Sequence, residues 1–232
     1  MEKMTEKLVV FSPHHDDAYW QTAGITLLLQ WQGWKVTYVT VIGDHYQWGG
    51  GKEKYRNRAV EAARIFGVEH VLLDYKSMAT TGANAQMAEE FCKLINNLRP
   101  SIAVTEYPIA THPDHYAVSI NSLRALTKDW FGEKRQLPAE VWCYQGYNPN
   151  PAFDFSVDIS GIKTEVQKRI CYWHEFGKDE KNSLWRNRLD NGLREKFYVV
   201  KANSKCFTIA QELFKDKLEY MQFRMPSVDL IF

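Results

Sequence analysis

The chain is short of the features that most readily announce a function. Four cysteines are spread over 232 residues, Cys92, Cys143, Cys171 and Cys206, with no C-x-x-C pair among them. That excludes a cysteine zinc cage and a disulfide scaffold, and it reads as buried thiols in a reducing compartment. Charge of one sign is also missing: the formal net charge is +1, so no global field recruits nucleic acid or an anionic membrane. No apolar run approaches the length of a membrane span, and the polar start, Met1 to Lys7, followed by the short run Leu8 to Phe11, does not resemble a signal peptide. A cytoplasmic protein without a membrane span is expected.

Internal repeats, low-complexity tracts and Pro/Ser-rich linkers are absent as well. With 45% apolar and 25% charged residues, the chain has the composition of an ordinary globular protein. We expect a single domain over residues 1–232. No G-x-G-x-x-G follows the first apolar run, and Gly49-Gly50-Gly51-Lys52 lacks the spacing of a Walker A loop. Both absences count against a nucleotide-binding α/β protein, which is the rival at the level of fold.

What is present is an alternation. Strand-like runs at Leu8–Phe11, Val36–Ile42, His70–Tyr75, Ile102–Glu106 and Glu140–Gln145 are separated by stretches with helical spacing. The helical stretches are Tyr19 to Trp31, stopping near Gly33; Lys54 to Phe66, with Val60, Ala63 and Phe66 on its apolar stripe; and Ala85 to Leu98, ahead of Pro100. Later, Ile162–Trp173 and Thr208–Met221 are expected as helices and Phe197–Val200 as an edge strand. The pattern predicts an α/β fold: a Rossmann-like, three-layer α/β/α arrangement with a mostly parallel sheet.

Two polar clusters interrupt this pattern. Ser12-Pro13-His14-His15-Asp16-Asp17 directly follows the first strand, and His112-Pro113-Asp114-His115 follows the strand at Ile102–Thr105. Open α/β sheets bind ligands at the carboxyl ends of their strands. Either cluster alone reads as a solvated or helix-capping pair. Together they supply imidazoles and carboxylates from separate segments, the donor set a divalent ion such as zinc requires. Neighbouring residues of an extended segment point to opposite sides, so His14 and His15 are not expected on one ion.

The two clusters resemble the paired motifs of the PIG-L-type N-deacetylase superfamily, zinc hydrolases that remove acetyl groups from N-acetylglucosamine-containing conjugates. The usual first motif there reads A-H-P-D-D-E. Here Pro13-His14-His15-Asp16-Asp17-Ala18 keeps His, Asp and Asp, replaces the internal proline by His15 and ends in Ala18. The second motif, H-P-D-H, is matched in full by His112 to His115. Arg58-x-x-Glu61, Val157-Asp158-Ile159-Ser160 with Lys163, and Glu195-Lys196-Phe197 are similar to further segments of that superfamily.

The resemblance implies His14, Asp17 and His115 as zinc ligands, with another divalent metal such as Fe2+ as an alternative occupant. It implies Asp16 as the general base and His112 as the oxyanion-stabilising group. Asp114 would hold His112 protonated or cap the following helix. Arg58 would contact substrate or pair with Glu61 one turn away. Asp74, ending a strand, would hydrogen-bond a sugar, and Trp48, with Tyr46 and Tyr107, would form a wall of the site in or near the loop Asp44–Lys52. The implied partner is a small-molecule amino sugar. A metal-dependent amidase or esterase for another small molecule, a non-catalytic sugar- or metal-binding protein, and a homo-oligomer all stay open at this point.

Overall fold

The computed structural model of the protein describes residues 5–44, 51–79, 82–109, 112–127, 137–146, 153–170, 194–202, 213–214 and 218–220. The elements run β1 (Lys7–Ser12), α1 (Asp17–Trp31), β2 (Lys35–Asp44), α2 (Gly51–Phe66), β3 (Glu69–Lys76), α3 (Ala85–Leu98), β4 (Ile102–Glu106), α4 (Pro113–Thr127) and β5 (Glu140–Tyr144). They continue with β6 (Phe155–Asp158), a 3-10 turn at Ser160–Ile162, α5 (Lys163–Ile170), β7 (Arg194–Ala202) and β8 (Leu218–Tyr220).

The eight strands among the described residues form one sheet in the order β3-β2-β1-β4-β5-β7-β6-β8. The first five are parallel, and β7, β6 and β8 extend the sheet antiparallel. The parallel strands are apolar on both faces because helices cover both. Leu8 and Val10 of β1 join the core under α1 and α2, while Val9 and Phe11 join the core under α3 and α4. On β5, Trp142 and Tyr144 alternate with Val141 and Cys143 in the same way. On β1, β4 and β5 period-two alternation thus sends the apolar side chains of both faces into a core, at about 1.5–3 kcal/mol for each large one.

Chain order reverses between β1 and β4. From β1 the chain winds outward through β2 to β3, returns across the other face in α3, and resumes at β4 on the opposite flank of β1. The carboxyl ends of β1 and β4 therefore open onto a crevice, the ligand position of doubly wound sheets. The two histidine clusters leave from these two ends.

Three expectations need correction, and one strand is new. Val60 is 60% exposed, and the buried stripe of α2 is Tyr55, Ala59, Ala62, Ala63 and Phe66; spacing of three alone drifts off one helical face, whereas mixed steps of three and four stay on it. The strand at Phe197–Val200 is interior, held between β5 and β6. Residues 218–220 are strand rather than helix, since the free edge of β6 offers them hydrogen-bond partners. Strand β6, flanked by β7 and β8, was not anticipated. Cys92 and Cys143 are buried as expected, while Cys171 and Cys206 lie outside the described residues.

The antiparallel half is bolted to α1 by one buried carboxylate. Glu195 of β7 accepts the backbone N–H groups of Gly24 at 2.7 Å and Ile25 at 2.8 Å. A Cβ at Gly24 would lie 2.3 Å from Ile159 Cγ2, so only glycine lets α1 approach this closely. The segments around Ile159 and Glu195, separate in sequence, meet there.

Burial pushes the His70 imidazole on β3 down to about 4, and its Nε2 lies 3.0 Å from Thr40 Oγ1. Below pH 6.5 the unfolded chain binds a proton that the folded chain refuses until about pH 4. The His70 contribution to stability should therefore fall as pH drops across that window, by on the order of 3 kcal/mol. It should appear as the difference between thermal melts of wild type and of His70→Gln taken from pH 7 to pH 4.5.

Candidate active site

The first cluster is folded by its own backbone. Ser12 Oγ, at the end of β1, donates to the His14 carbonyl at 2.5 Å and accepts the Ala18 N–H at 3.1 Å. The Pro13 carbonyl accepts Ile42 N–H from β2. Asp17 Oδ2 accepts the His14 N–H at 2.9 Å. These bonds turn the chain sharply into α1 and bury His14, His15, Asp16 and Asp17.

The second cluster begins α4. Ser119 Oγ donates to the Glu106 carbonyl, and Thr105 and Ser122 hydroxyls meet at 2.7 Å, clamping the start of α4 against the end of β4. His115 is thereby brought to His14.

Three donor atoms form a nearly equilateral triangle. His14 Nδ1 is 3.3 Å from Asp17 Oδ2 and 3.2 Å from His115 Nε2, and His115 Nε2 is 3.4 Å from Asp17 Oδ2. Tetrahedral zinc with ligand bonds of about 2.0–2.1 Å requires separations of about 3.3–3.4 Å. The donor set fits that ion and leaves a fourth direction open. A wider grouping of His14, His112 and His115, with one ring nitrogen each, lies within 4.8 Å. We favour the carboxylate-containing set because its edges already match.

Both imidazoles of the triangle are held from behind. His14 Nε2 is 3.2 Å from Asp114 Oδ2, and His115 Nδ1 is 2.6 Å from Glu106 Oε2. Asp114 also accepts Ser77 Oγ at 2.8 Å and Met78 N–H at 2.7 Å, which fastens the segment after β3 to the site. Met78 takes a left-handed backbone, φ 60°, a conformation uncommon for residues other than glycine.

Four carboxylates, Asp16, Asp17, Glu106 and Asp114, lie buried among these imidazoles. Burial opposes charge on every one of them. On His14 the hydrogen bonds to Asp114 and Asp17 outweigh burial and raise the imidazole to about 10. His115 is likewise raised, with Asp17 and Glu106 overcoming burial. Asp17 is held well below the usual carboxylate range by His115 and His14 against burial, and Asp114 falls to about 2 against burial through His14, Met78 and Ser77. Burial raises Glu106 despite its contact with His115. The cluster calls for positive charge, supplied by protons or by a cation.

Asp16 differs from its neighbour. It occupies the N-cap of α1, yet its side chain makes no capping bond. Burial, then Asp17, pushes its carboxyl up to about 6 in spite of His14. Capping accounts for neither its burial nor its position.

His112 stands half-buried at the rim, edge-on to His14 and His115 with ring centroids 5.5 and 5.1 Å away. Its Nδ1 accepts the Asp114 N–H at 3.3 Å, which leaves the ring hydrogen on Nε2. Burial and the two neighbouring imidazoles lower its affinity for a second proton. The Asp114 carboxylate thus contacts His14, whereas His112, which it was expected to hold protonated, is contacted by the Asp114 backbone N–H instead.

The other candidates are scattered. Glu61 is gripped by Arg64, at 2.6 and 2.8 Å, rather than by Arg58, which is half-buried one turn beyond Tyr55. Asp74 is exposed and paired with Lys52 at 2.5 Å and Arg56 at 3.4 Å, so its carboxylate serves a surface ion pair. Tyr107 packs against Tyr198. Trp48 and Tyr46 lie outside the described residues. His15 is buried edge-on against Tyr55, ring centroids 4.1 Å apart, and its backbone N–H donates to the Tyr55 hydroxyl. Glu106 escaped notice in the sequence; the available signal was a lone acid ending a strand whose other residues include Ile102, Ala103 and Val104.

The fold has solved counterparts. An N,N'-diacetylchitobiose deacetylase from Pyrococcus horikoshii, in complex with an inhibitor, is 17% identical, covers 84% of each chain and superposes with a TM-score of 0.68. The zinc-inhibited form of a teicoplanin deacetylase is 16% identical over 86% of this chain and 100% of that one, with a TM-score of 0.61. A 4-carboxy-2-hydroxymuconate hydratase from Pseudomonas putida KT2440 is 15% identical over 87% and 98%, with a TM-score of 0.67. No curated protein matches the chain. At these identities the likeness is one of fold. The sequence model described as PIG-L, GlcNAc-PI de-N-acetylase, matches residues 9–126, just over half of the chain and both histidine clusters, and the protein therefore belongs to the PIG-L family.

Proposed function

We propose that the protein is a zinc-dependent N-deacetylase that removes the acetyl group from an N-acetylglucosamine-type sugar or conjugate. The observation that carries this reading is the triangle of His14 Nδ1, Asp17 Oδ2 and His115 Nε2 beside an Asp16 carboxylate that no cap engages. Family membership supports the choice of an acetamide as the bond attacked.

Zinc, when bound by His14, Asp17 and His115, supplies Lewis acidity toward an amide carbonyl and toward water. Asp16 takes a proton from the water that adds to the acetyl carbon. As the carbonyl oxygen gains negative charge, His112 Nε2–H donates a hydrogen bond to it. Asp16 then returns the proton to the nitrogen as the C–N bond breaks, leaving acetate and a free amine. A carboxylate raised to about 6 suits both directions of that transfer near neutral pH. Asp114 and Glu106 keep the two imidazoles aligned throughout. Arg58 is the cation on α2 that we assign to the substrate.

The hydratase among the structural neighbours uses the same fold for a differently named reaction, so the released product has to be measured. We expect about one zinc per chain, acetate release from N-acetylglucosamine conjugates, and abolition of that release by a chelator. His115→Ala should lose the metal; full occupancy in that variant removes it from the ligand set. Asp16→Asn should keep zinc and lose most turnover. In His112→Ala, kcat should drop on the order of 10²–10³-fold with zinc content unchanged. A zinc-loaded wild type that releases no acetate across a panel of such conjugates overturns the deacetylase reading.

A further inference from the structure

We propose that Glu106 is the positioning residue of the metal centre, fixing His115 so that its Nε2 faces the triangle; this rests on the ligand set proposed above. Glu106 is the last residue of β4, 2% exposed, and its Oε2 lies 2.6 Å from His115 Nδ1. An imidazole with Nδ1–H committed to a carboxylate presents a lone pair at Nε2. The same contact stops ring rotation and strengthens the nitrogen as a donor.

The surroundings of Glu106 are built for this contact. Its backbone carbonyl is held by Ser119 Oγ from α4, the helix that carries His115. Its side chain fills a recess that only glycine leaves free: a Cβ on Gly146, after β5, would lie 2.0 Å from Glu106 Oε1 and 2.9 Å from its Cγ, and Gly146 has φ +63°. Glycine thus meets two demands there, the left-handed backbone and the space. The carboxylate cannot swing toward β5 without meeting that turn. Its partner is therefore chosen by the sheet, at the point where β4 and β5 end side by side.

The test measures zinc affinity by competition with a chromophoric chelator, and the visible absorption of the cobalt-substituted protein, in wild type, Glu106→Asp and Glu106→Gln. Loss of the carboxylate in Glu106→Gln should weaken zinc about 10- to 100-fold and shift the cobalt bands. Glu106→Asp, which keeps the charge but retracts it by one methylene, should fall between the two. Gly146→Ala, which displaces Glu106 without altering it, should weaken zinc in the same direction and decides the matter if Glu106→Gln does not fold. Glu140→Gln is the control for a merely structural acid: Glu140 is buried on β5 and accepts Trp142 Nε1–H at 2.8 Å, so its change should lower the Tm and leave zinc affinity and the cobalt spectrum unmoved. Wild-type affinity and spectrum in folded Glu106→Gln, or in Gly146→Ala where it stands in, overturn the inference. A wild type that binds no zinc instead overturns the ligand set itself.

Discussion

The contact between Asp114 and His14 is the constraint on which the rest of the site depends. One carboxylate oxygen meets an imidazole 100 positions away in the chain, and the same carboxylate gathers Ser77 and the Met78 N–H. Three segments, following β1, β3 and β4, are joined through a single buried side chain. If that anion were unpaired its burial would cost several kcal/mol. The arrangement holds because the imidazole, the hydroxyl and the amide share it. Removing one partner leaves the others around an uncompensated charge, so the site stands or falls as a unit.

The apolar frame makes this concentration of charge tolerable. Strands β1 and β4 are buried on both faces, and their hydrogen-bonded ladder leaves little freedom at the ends. The polar residues begin where the ladder stops, so their positions follow from the strands rather than from loop packing. Helix α1 must also arrive at a set angle, because it carries Asp16 and Asp17 on its first turn. Glu195 fixes that angle from the far side by accepting two amides in the middle of the helix, with Gly24 as the notch into which Ile159 fits. The antiparallel strands thereby support the site although none of their residues enters the triangle.

What could be read from the amino acids follows from how local each cause is. Strands β1, β2, β4 and β5 were legible because strands buried on both faces are continuous apolar runs, and α1 and α3 because their apolar residues lie within one segment. The errors came from causes outside the segment. Val60 looked like core by its distance from Ala63, yet the sheet contacts the neighbouring face. Phe197 lies inside the sheet because β6 and β8 add beyond it, which no local pattern encodes. In the site, the two histidine clusters were legible as donor-rich interruptions after strands. The partnership of Asp114 was not: adjacency favoured His112, whereas the turn into α4 aims the carboxylate at His14. Glu106 was hidden for the same reason, as its meaning comes from His115 and Gly146, neither of which is its neighbour in the chain.

Asp16 and Asp17 show how finely such a turn divides function. Two identical side chains, adjacent in sequence and both buried, are separated by about 100° around the start of a helix. Asp17 faces two imidazoles and stays ionised, whereas Asp16 feels mainly burial and the charge of its neighbour, so that its carboxyl rises to about 6. Each shift depends in part on the other residue: the ionised Asp17 is one of the causes that raise Asp16. A pair of carboxylates whose environments drive them apart can divide labour between holding a cation and moving a proton. That division needs no difference in chemistry between the two residues, only the rotation that the Ser12 and Asp17 hydrogen bonds impose on the chain between β1 and α1.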